Sequence, residues 1–153
     1  MCPDFRVDAS CCLGLCKLYV HRTLSLHADP HELVNYKKSL FDVDMTGKNI
    51  LCISTLEHVG KAEYGLKAED NLAVSALEKI TSQANKFFIT IPVGWNEELD
   101  NYLVNGENDY NYRVLFLSRK SGRKANKWKE YKKLRGKQLL YRDYANSVIF
   151  IIN

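Results

Sequence analysis

The side chains best suited to chemistry follow a short apolar stretch in the middle of the chain. Residues 50–53 are four consecutive apolar residues, and a polar cluster with Glu57 and His58 comes directly after them. An unbroken apolar stretch of this length is typical of a strand buried on both faces. Open α/β sheets place ligands just beyond the carboxyl ends of such strands. Glu57 and His58 are therefore candidate catalytic residues; the alternative is a turn-capping glutamate and a solvated histidine.

A helix and a second strand follow. Apolar residues recur at helical spacing over 72–84, Asp70 or Asn71 is available as the N-cap, and Asn85 falls where the helix should stop. Residues 87–91 then form another apolar stretch, closed by Pro-Val-Gly. Strand, loop, helix and strand predict a βαβ unit, and hence an α/β fold.

These segments resemble a known family. Ile-Leu-Cys-Ile-Ser-Thr-Leu-Glu-His-Val-Gly at 50–60, Tyr-Gly at 64–65 and Ile-Thr-Ile-Pro-Val-Gly at 89–94 are similar to the second half of a class I S-adenosylmethionine-dependent methyltransferase domain. The similarity covers roughly residues 30–153 and continues through 95–100, 115–117, 126–128 and 146–152. It extends to a bacterial subgroup of uncharacterised methyltransferase-like proteins. Residues 30–153 are accordingly interpreted as a partial methyltransferase-like domain, and residues 1–29 as a separate N-terminal segment.

The resemblance implies a fold and a reaction. The fold is a Rossmann-like, partly parallel sheet with an antiparallel C-terminal edge, which the strands predicted at 113–117 and 147–152 would form. The reaction is methyl transfer from S-adenosylmethionine to a small-molecule or saccharide-type acceptor. The cofactor carries the difficult chemistry, so the protein supplies binding and orientation.

The resemblance also implies roles for individual residues. His58 would remove the acceptor's proton, and Glu57 would hold the imidazole or contact the acceptor. Ser54 and Thr55 would line the methionine side of the cofactor. The acceptor pocket would be walled by the residues after the second strand, namely Pro92, Val93, Gly94 and Trp95.

A complete domain of this family opens with a glycine-rich turn beneath the cofactor and an acidic residue on its ribose. The only glycine before Gly47 is Gly14, and no acidic residue is suitably placed after it. The resemblance therefore predicts a truncated domain that binds cofactor poorly, with a homo-oligomer or a companion chain completing it. The alternative is a non-catalytic binding module derived from the same fold.

A basic segment provides a third hypothesis. Residues 119–137 contain ten Lys or Arg residues and one acid, Glu130, interleaved with Trp128 and Tyr131. Positive charge with flat aromatic surfaces is typical of a nucleic-acid interface. The alternative is a solvated connection with a helix over 126–134.

Composition sets the remaining bounds. The 153 residues are 46% hydrophobic and 26% charged, as in an ordinary globular domain. No stretch approaches the ~18 apolar residues of a membrane span, and no signal peptide is visible, so the predicted location is cytoplasmic. Four of the five cysteines lie in the first sixteen residues. Their odd total argues against a disulfide framework, and their spacing fits no usual metal motif, so no metal site is predicted.

Overall fold

The computed structural model describes residues 17–20, 24–26, 39–62, 67–105, 111–119, 127–141 and 145–153. They form an α/β fold built on one mixed sheet. The strands are β1 (Lys17–Val20), β2 (Leu24–Leu26), β3 (Asn49–Ile53), β4 (Lys86–Pro92), β5 (Arg113–Arg119), β6 (Trp128–Tyr131) and β7 (Ser147–Ile152). The helices are α1 (Leu72–Gln83) and α2 (Glu97–Val104), with 3-10 turns at Leu40–Asp42, Leu56–His58 and Gly136–Leu139.

The order of strands across the sheet is β2-β1-β3-β4-β7-β5-β6. β3 and β4 are parallel neighbours, with Ile50 opposite Phe87 and Ile53 opposite Thr90. β7 lies antiparallel between β4 and β5. The sequence-based predictions of a parallel β3–β4 pair and of an antiparallel pair formed by 113–117 and 147–152 are thus confirmed. The antiparallel pair is not the edge of the sheet, because β6 lies outside β5. β1 pairs antiparallel with β3 on the other side.

One face of the sheet packs against both α1 and α2. Alternate residues of β3, β4 and β7 are buried there, as the two-residue period of a strand requires. They meet the apolar stripes of the two helices in one core cluster. Each large aliphatic side chain buried in this way contributes about 1.5–3 kcal/mol to stability. The sheet members of this core are Ile50, Cys52, Phe87, Ile89, Ile91, Ile149 and Ile151, and the helical members are Ala73, Ala76, Leu77, Ile80, Leu99, Leu103 and Val104.

The helix ends agree only in part with the sequence. The sequence also offers Asn96 as the N-cap of α2, and its Oδ1 accepts a hydrogen bond from the Leu99 N–H at 3.1 Å. Asn71 occupies the N-cap position of α1 without a side-chain cap, at a left-handed φ of 59°. Its own N–H donates instead to the Glu98 carboxylate at 2.8 Å, which ties the start of α1 to α2.

The segment at 126–134 corrects a sequence-based expectation. Residues 128–131 are a strand rather than a helix, and they form the antiparallel pair β5–β6. Strand formation satisfies the backbone groups of β5 on its outer side, which a helix could not do. The sequence pattern also indicates a short strand at 33–36, and this segment and four of the five cysteines lie outside the described residues. Within the described ranges, no helix is long and apolar enough to cross a membrane.

Candidate functional site

The loops after β3 and β4 meet at one edge of the sheet because the two strands are parallel neighbours. Ser54 leaves β3 at a left-handed φ of 49°, and its N–H donates to the Thr90 carbonyl oxygen at 3.0 Å. The same N–H is 3.1 Å from the Thr90 Oγ1. These contacts hold the loop against β4, and the 3-10 turn at 56–58 then presents Glu57 and His58.

Glu57 is the most enclosed ionisable group of the site, with a side chain only 2% exposed. Its Oε1 accepts a hydrogen bond from Ser54 Oγ at 2.5 Å and lies 3.7 Å from His58 Nε2. Its Oε2 is buried without a hydrogen-bond partner. Burial raises the pKa of Glu57 above its ordinary value, and the negative charge of Asp100 adds to the rise. The Ser54 hydroxyl and His58 oppose it without cancelling it.

His58 connects the buried acid to an aromatic surface. Its side chain is 24% exposed, and its ring centroid lies 5.4 Å from that of Trp95, with the planes 56° apart. Trp95 packs in turn against Tyr141, with centroids 4.8 Å apart and the planes 70° apart. These are the tilted arrangements that aromatic quadrupoles favour. The imidazole is therefore held between a carboxyl group and an indole ring that is itself 38% exposed.

Asn96 fixes the two loops to each other. It is 3% exposed, and its Nδ2 lies 3.3 Å from the Glu57 carbonyl oxygen and 3.4 Å from the Val59 carbonyl oxygen. Its Oδ1 caps α2. A single amide thus satisfies backbone groups of both loops, which explains why a polar side chain is tolerated at this buried position.

Asp100 is a second acid of the site, and the sequence patterns did not single it out. Its Oδ2 accepts a hydrogen bond from the Gly94 N–H at 2.6 Å, and its Oδ1 is buried without a partner. Burial raises the pKa of Asp100 to about 6, although the Gly94 N–H and the charge of Lys61 act in the opposite direction. The spacing in the sequence could have indicated this role. Asp100 lies one helical turn after Asn96, the N-cap of α2, so its side chain is on the same side of the helix as the loop before it.

The structure brings together some of the predicted site residues and separates others. Ser54, Glu57, His58 and Trp95 form one connected set. The Thr55 Oγ1 donates to the Ile53 carbonyl at 3.0 Å. Gly94 contributes its backbone, because its N–H binds Asp100. Pro92 is the last residue of β4, where it lies opposite Val148.

The set has the components of a proton-transfer site. The Nε2 side of the imidazole faces Glu57, so a Glu57 carboxylate would stabilise an imidazolium. Because the pKa of Glu57 is raised, its carboxyl group ionises further as the pH rises, and the carboxylate then stabilises the imidazolium more strongly. Within the described ranges, no group of three or more His, Cys, Asp or Glu residues could hold a metal ion.

Comparisons with known proteins add no relative. No family model, no curated protein and no solved structure matches this chain.

Proposed function

We propose that this chain is a portion of a class I S-adenosylmethionine-dependent methyltransferase-like fold and carries its methyl-acceptor side. The observation that supports the proposal is the position of Glu57 and His58. They follow β3 directly, at the edge where β3 and β4 end together, and the sheet continues into the antiparallel β7 between β4 and β5. The parallel β3–β4 pair, the antiparallel β7 and the position of the two side chains support the proposal.

In this proposal His58 takes the proton of the acceptor nucleophile. The adjacent Glu57 carboxylate orients the imidazole and stabilises its protonated form. Trp95, which contacts the imidazole and is partly exposed, supplies an apolar wall beside the acceptor. Asn96 and Asp100 position the loop that carries Trp95, because they bind the Glu57 carbonyl oxygen and the Gly94 N–H respectively.

The described residues fit one end of the cofactor. The methionine end of S-adenosylmethionine carries an ammonium group, and Glu57 offers an acceptor oxygen that lacks a partner. The hydroxyl of Ser54 donates to Glu57, so it acts on the cofactor through that carboxyl. When bound, S-adenosylmethionine supplies a methyl group activated by its sulfonium sulfur. The ribose and adenine end would need the glycine-rich turn and the acid that the sequence does not show.

The alternative proposal is a non-catalytic binding module built on the same half of the fold. The two hydroxyl groups predicted to face the cofactor favour this alternative, because both already donate hydrogen bonds within the chain. Ser54 donates to Glu57, and Thr55 donates to the Ile53 carbonyl. A module of this kind would bind an acceptor-like ligand at the same edge of the sheet. It would not bind S-adenosylmethionine there.

Titration of S-adenosylmethionine into the isotopically labelled chain, followed by amide NMR shifts, separates the two. We expect shifts confined to residues 54–58 and 93–96. A micromolar cofactor should bind here with a dissociation constant of roughly millimolar, because the missing charge-assisted hydrogen bond costs about 1.5–3 kcal/mol, the missing glycine-rich turn costs more, and each ~1.4 kcal/mol is tenfold. Absence of shifts up to about 10 mM would favour the binding module.

The matched control is Glu57→Gln, which preserves shape and removes the ionisable group. Binding of an ammonium group requires the carboxylate form of Glu57. Because the pKa of Glu57 is raised, affinity for the wild-type chain should increase as the pH rises through that pKa. Affinity for the Gln variant should be weaker and show no such increase. Equal pH profiles for the two chains would contradict a role for this carboxyl in binding.

A further inference from the structure

The face of the sheet opposite α1 and α2 is apolar and incompletely covered; we call it the outer sheet face. Residues opposite each other on neighbouring strands share a face, so the strand register defines it. It includes the pairs Phe88–Ile152, Leu115–Phe150 and Leu117–Val148. All six residues are half-buried, whereas their neighbours on the helix-covered face, such as Ile89, Ile149 and Ile151, are fully buried.

The apolar centre of this face is continuous. The Phe88 and Phe150 rings form an edge-to-face pair with centroids 5.6 Å apart. Both helices among the described residues pack on the other side. Parallel strands are rarely exposed on one face, because their crossover helices normally cover both. A contiguous apolar surface on an uncovered sheet face is typical of an interaction site.

The rim of the outer sheet face is mostly basic. Lys86 lies two residues before Phe88 on β4, Arg113 is opposite Ile152, and Arg119 lies two residues beyond Leu117. The strand period places all three on the same face, and all three are exposed. Glu130, opposite Leu117, is the one acid among these rim residues.

We propose that the outer sheet face binds a pair of amphipathic helices whose apolar stripes are bordered by Glu or Asp. Five strand residues span about 17 Å at ~3.3 Å each, which matches about eleven helical residues at ~1.5 Å each. The strands from β3 to β6 span about 19 Å at ~4.8 Å per strand. Two helices with axes about 10 Å apart fit side by side across that width.

The charge of the rim selects this occupant over a second copy of the chain. A symmetric face-to-face dimer brings the same surface from both protomers together. Each rim has three basic residues and one acid, so a dimer of this kind would bring two surfaces of net positive charge together, which is destabilising. Acidic residues along the border of a helical partner would pair with Lys86 and Arg113 instead.

Two synthetic peptides of about fourteen residues test the proposal. Both carry Leu at helical spacing on one side; one has Glu and the other has Lys along the borders of the apolar stripe. We expect calorimetric titration into the full chain to give about tenfold tighter binding of the Glu peptide at low salt. The difference should shrink at high salt, because exposed charges are screened.

A double variant, Lys86→Glu with Arg113→Glu, is the matched test. Both side chains are exposed, so the fold should be retained, which circular dichroism checks. The variant should bind the Lys peptide more tightly than the Glu peptide. Equal binding of both peptides to both chains, or no binding, overturns the proposal. A chain that sediments as a dimer and becomes monomeric on Phe88→Lys also overturns it, since a second copy would then occupy the face.

Discussion

Glu57, in the turn after β3, and Asp100, in the first turn of α2, are the two buried acids of the site, and burial opposes the ionisation of both. Each leaves one carboxyl oxygen buried without a partner. Their charges also repel each other, because Asp100 raises the pKa of Glu57. Two coupled acids of this kind make the site sensitive to mildly acidic pH.

Asp100→Asn should flatten the dependence of stability on pH. The pKa of Asp100 rises from 3.8 to about 6 on folding, so the folded chain holds more protons than the unfolded chain within that window. Its contribution is therefore fully present below pH 3.8 and is lost as the pH rises through about 6. Relative to Asp100→Asn, we expect wild-type stability to fall by about 1–2 kcal/mol across the window, allowing for solvent screening.

Urea unfolding at several pH values measures this change. The control is Asp44→Asn. The Thr46 side chain and N–H hold the pKa of Asp44 below its ordinary value. Asp44 therefore makes the chain more stable as the pH rises, and Asp44→Asn should remove that increase. An Asp100→Asn profile parallel to that of the wild type would show that Asp100 titrates normally.

Gly94→Ala should destabilise the chain well beyond Gly47→Ala. Gly94 has a φ of +94°, and an added Cβ would lie 2.6 Å from the Tyr141 N and 2.7 Å from the Leu139 carbonyl oxygen. Gly47 has a φ of +69° with nothing within 4 Å of an added Cβ. The left-handed backbone alone costs about 1–2 kcal/mol, so we expect about 2–4 kcal/mol for Gly94→Ala and about 1 kcal/mol for Gly47→Ala. Equal losses in urea unfolding would mean that the Tyr141 backbone moves aside without cost.

At the scale of elements, α2 and the loop before it depend on one amide. Asn96→Ala removes the N-cap of α2 and the hydrogen bonds from the Asn96 side chain to the Glu57 and Val59 carbonyl oxygens. A lost cap costs about 1 kcal/mol, and buried carbonyls left unpaired cost more, so we expect a loss of about 2–3 kcal/mol. The control, Asn105→Ala, changes an exposed asparagine at the other end of α2 and should cost less than about 0.5 kcal/mol. Thermal unfolding compares the two; similar losses would show that the contacts with 57 and 59 contribute little.

The sequence predicted those elements whose pattern is local. The apolar stretch at 50–53, the helical spacing over 72–84 and the strand at 87–91 each fall where the structure has β3, α1 and β4. It missed β6, because a short basic segment carries no strand period and is held only by pairing with β5. It also missed Asp100 as a site residue, since that role depends on the Gly94 N–H, which a side-chain pattern cannot reveal.

At the scale of the whole molecule, the sheet divides the charges and the apolar surfaces unequally. The helix-covered face holds the core, the outer face is apolar with a basic rim, and the site lies at the edge where both faces end. This separation allows ligand binding at the site and partner binding on the outer face to be tested independently.

The basic segment at 119–137 should bind nucleic acid weakly and without sequence preference. The strand period divides its aromatic groups: Trp128 lies beneath the Arg119 guanidinium, 5.0 Å from the ring centroid, and Tyr131 and Lys129 share the opposite face. One nucleic-acid strand lying on a single face of β6 can therefore contact Trp128 or the Tyr131 and Lys129 pair, but not both. With about three phosphates contacted, the slope of log K against log salt should be about −2 for single strands. Fluorescence anisotropy with labelled oligonucleotides of two unrelated sequences measures this slope.

Trp128→Ala should change the affinity for an oligonucleotide by less than about threefold, because a base gains little from stacking on an aromatic ring that a guanidinium already covers. Tight binding that survives high salt, or a large loss on Trp128→Ala, would make this segment a specific nucleic-acid interface.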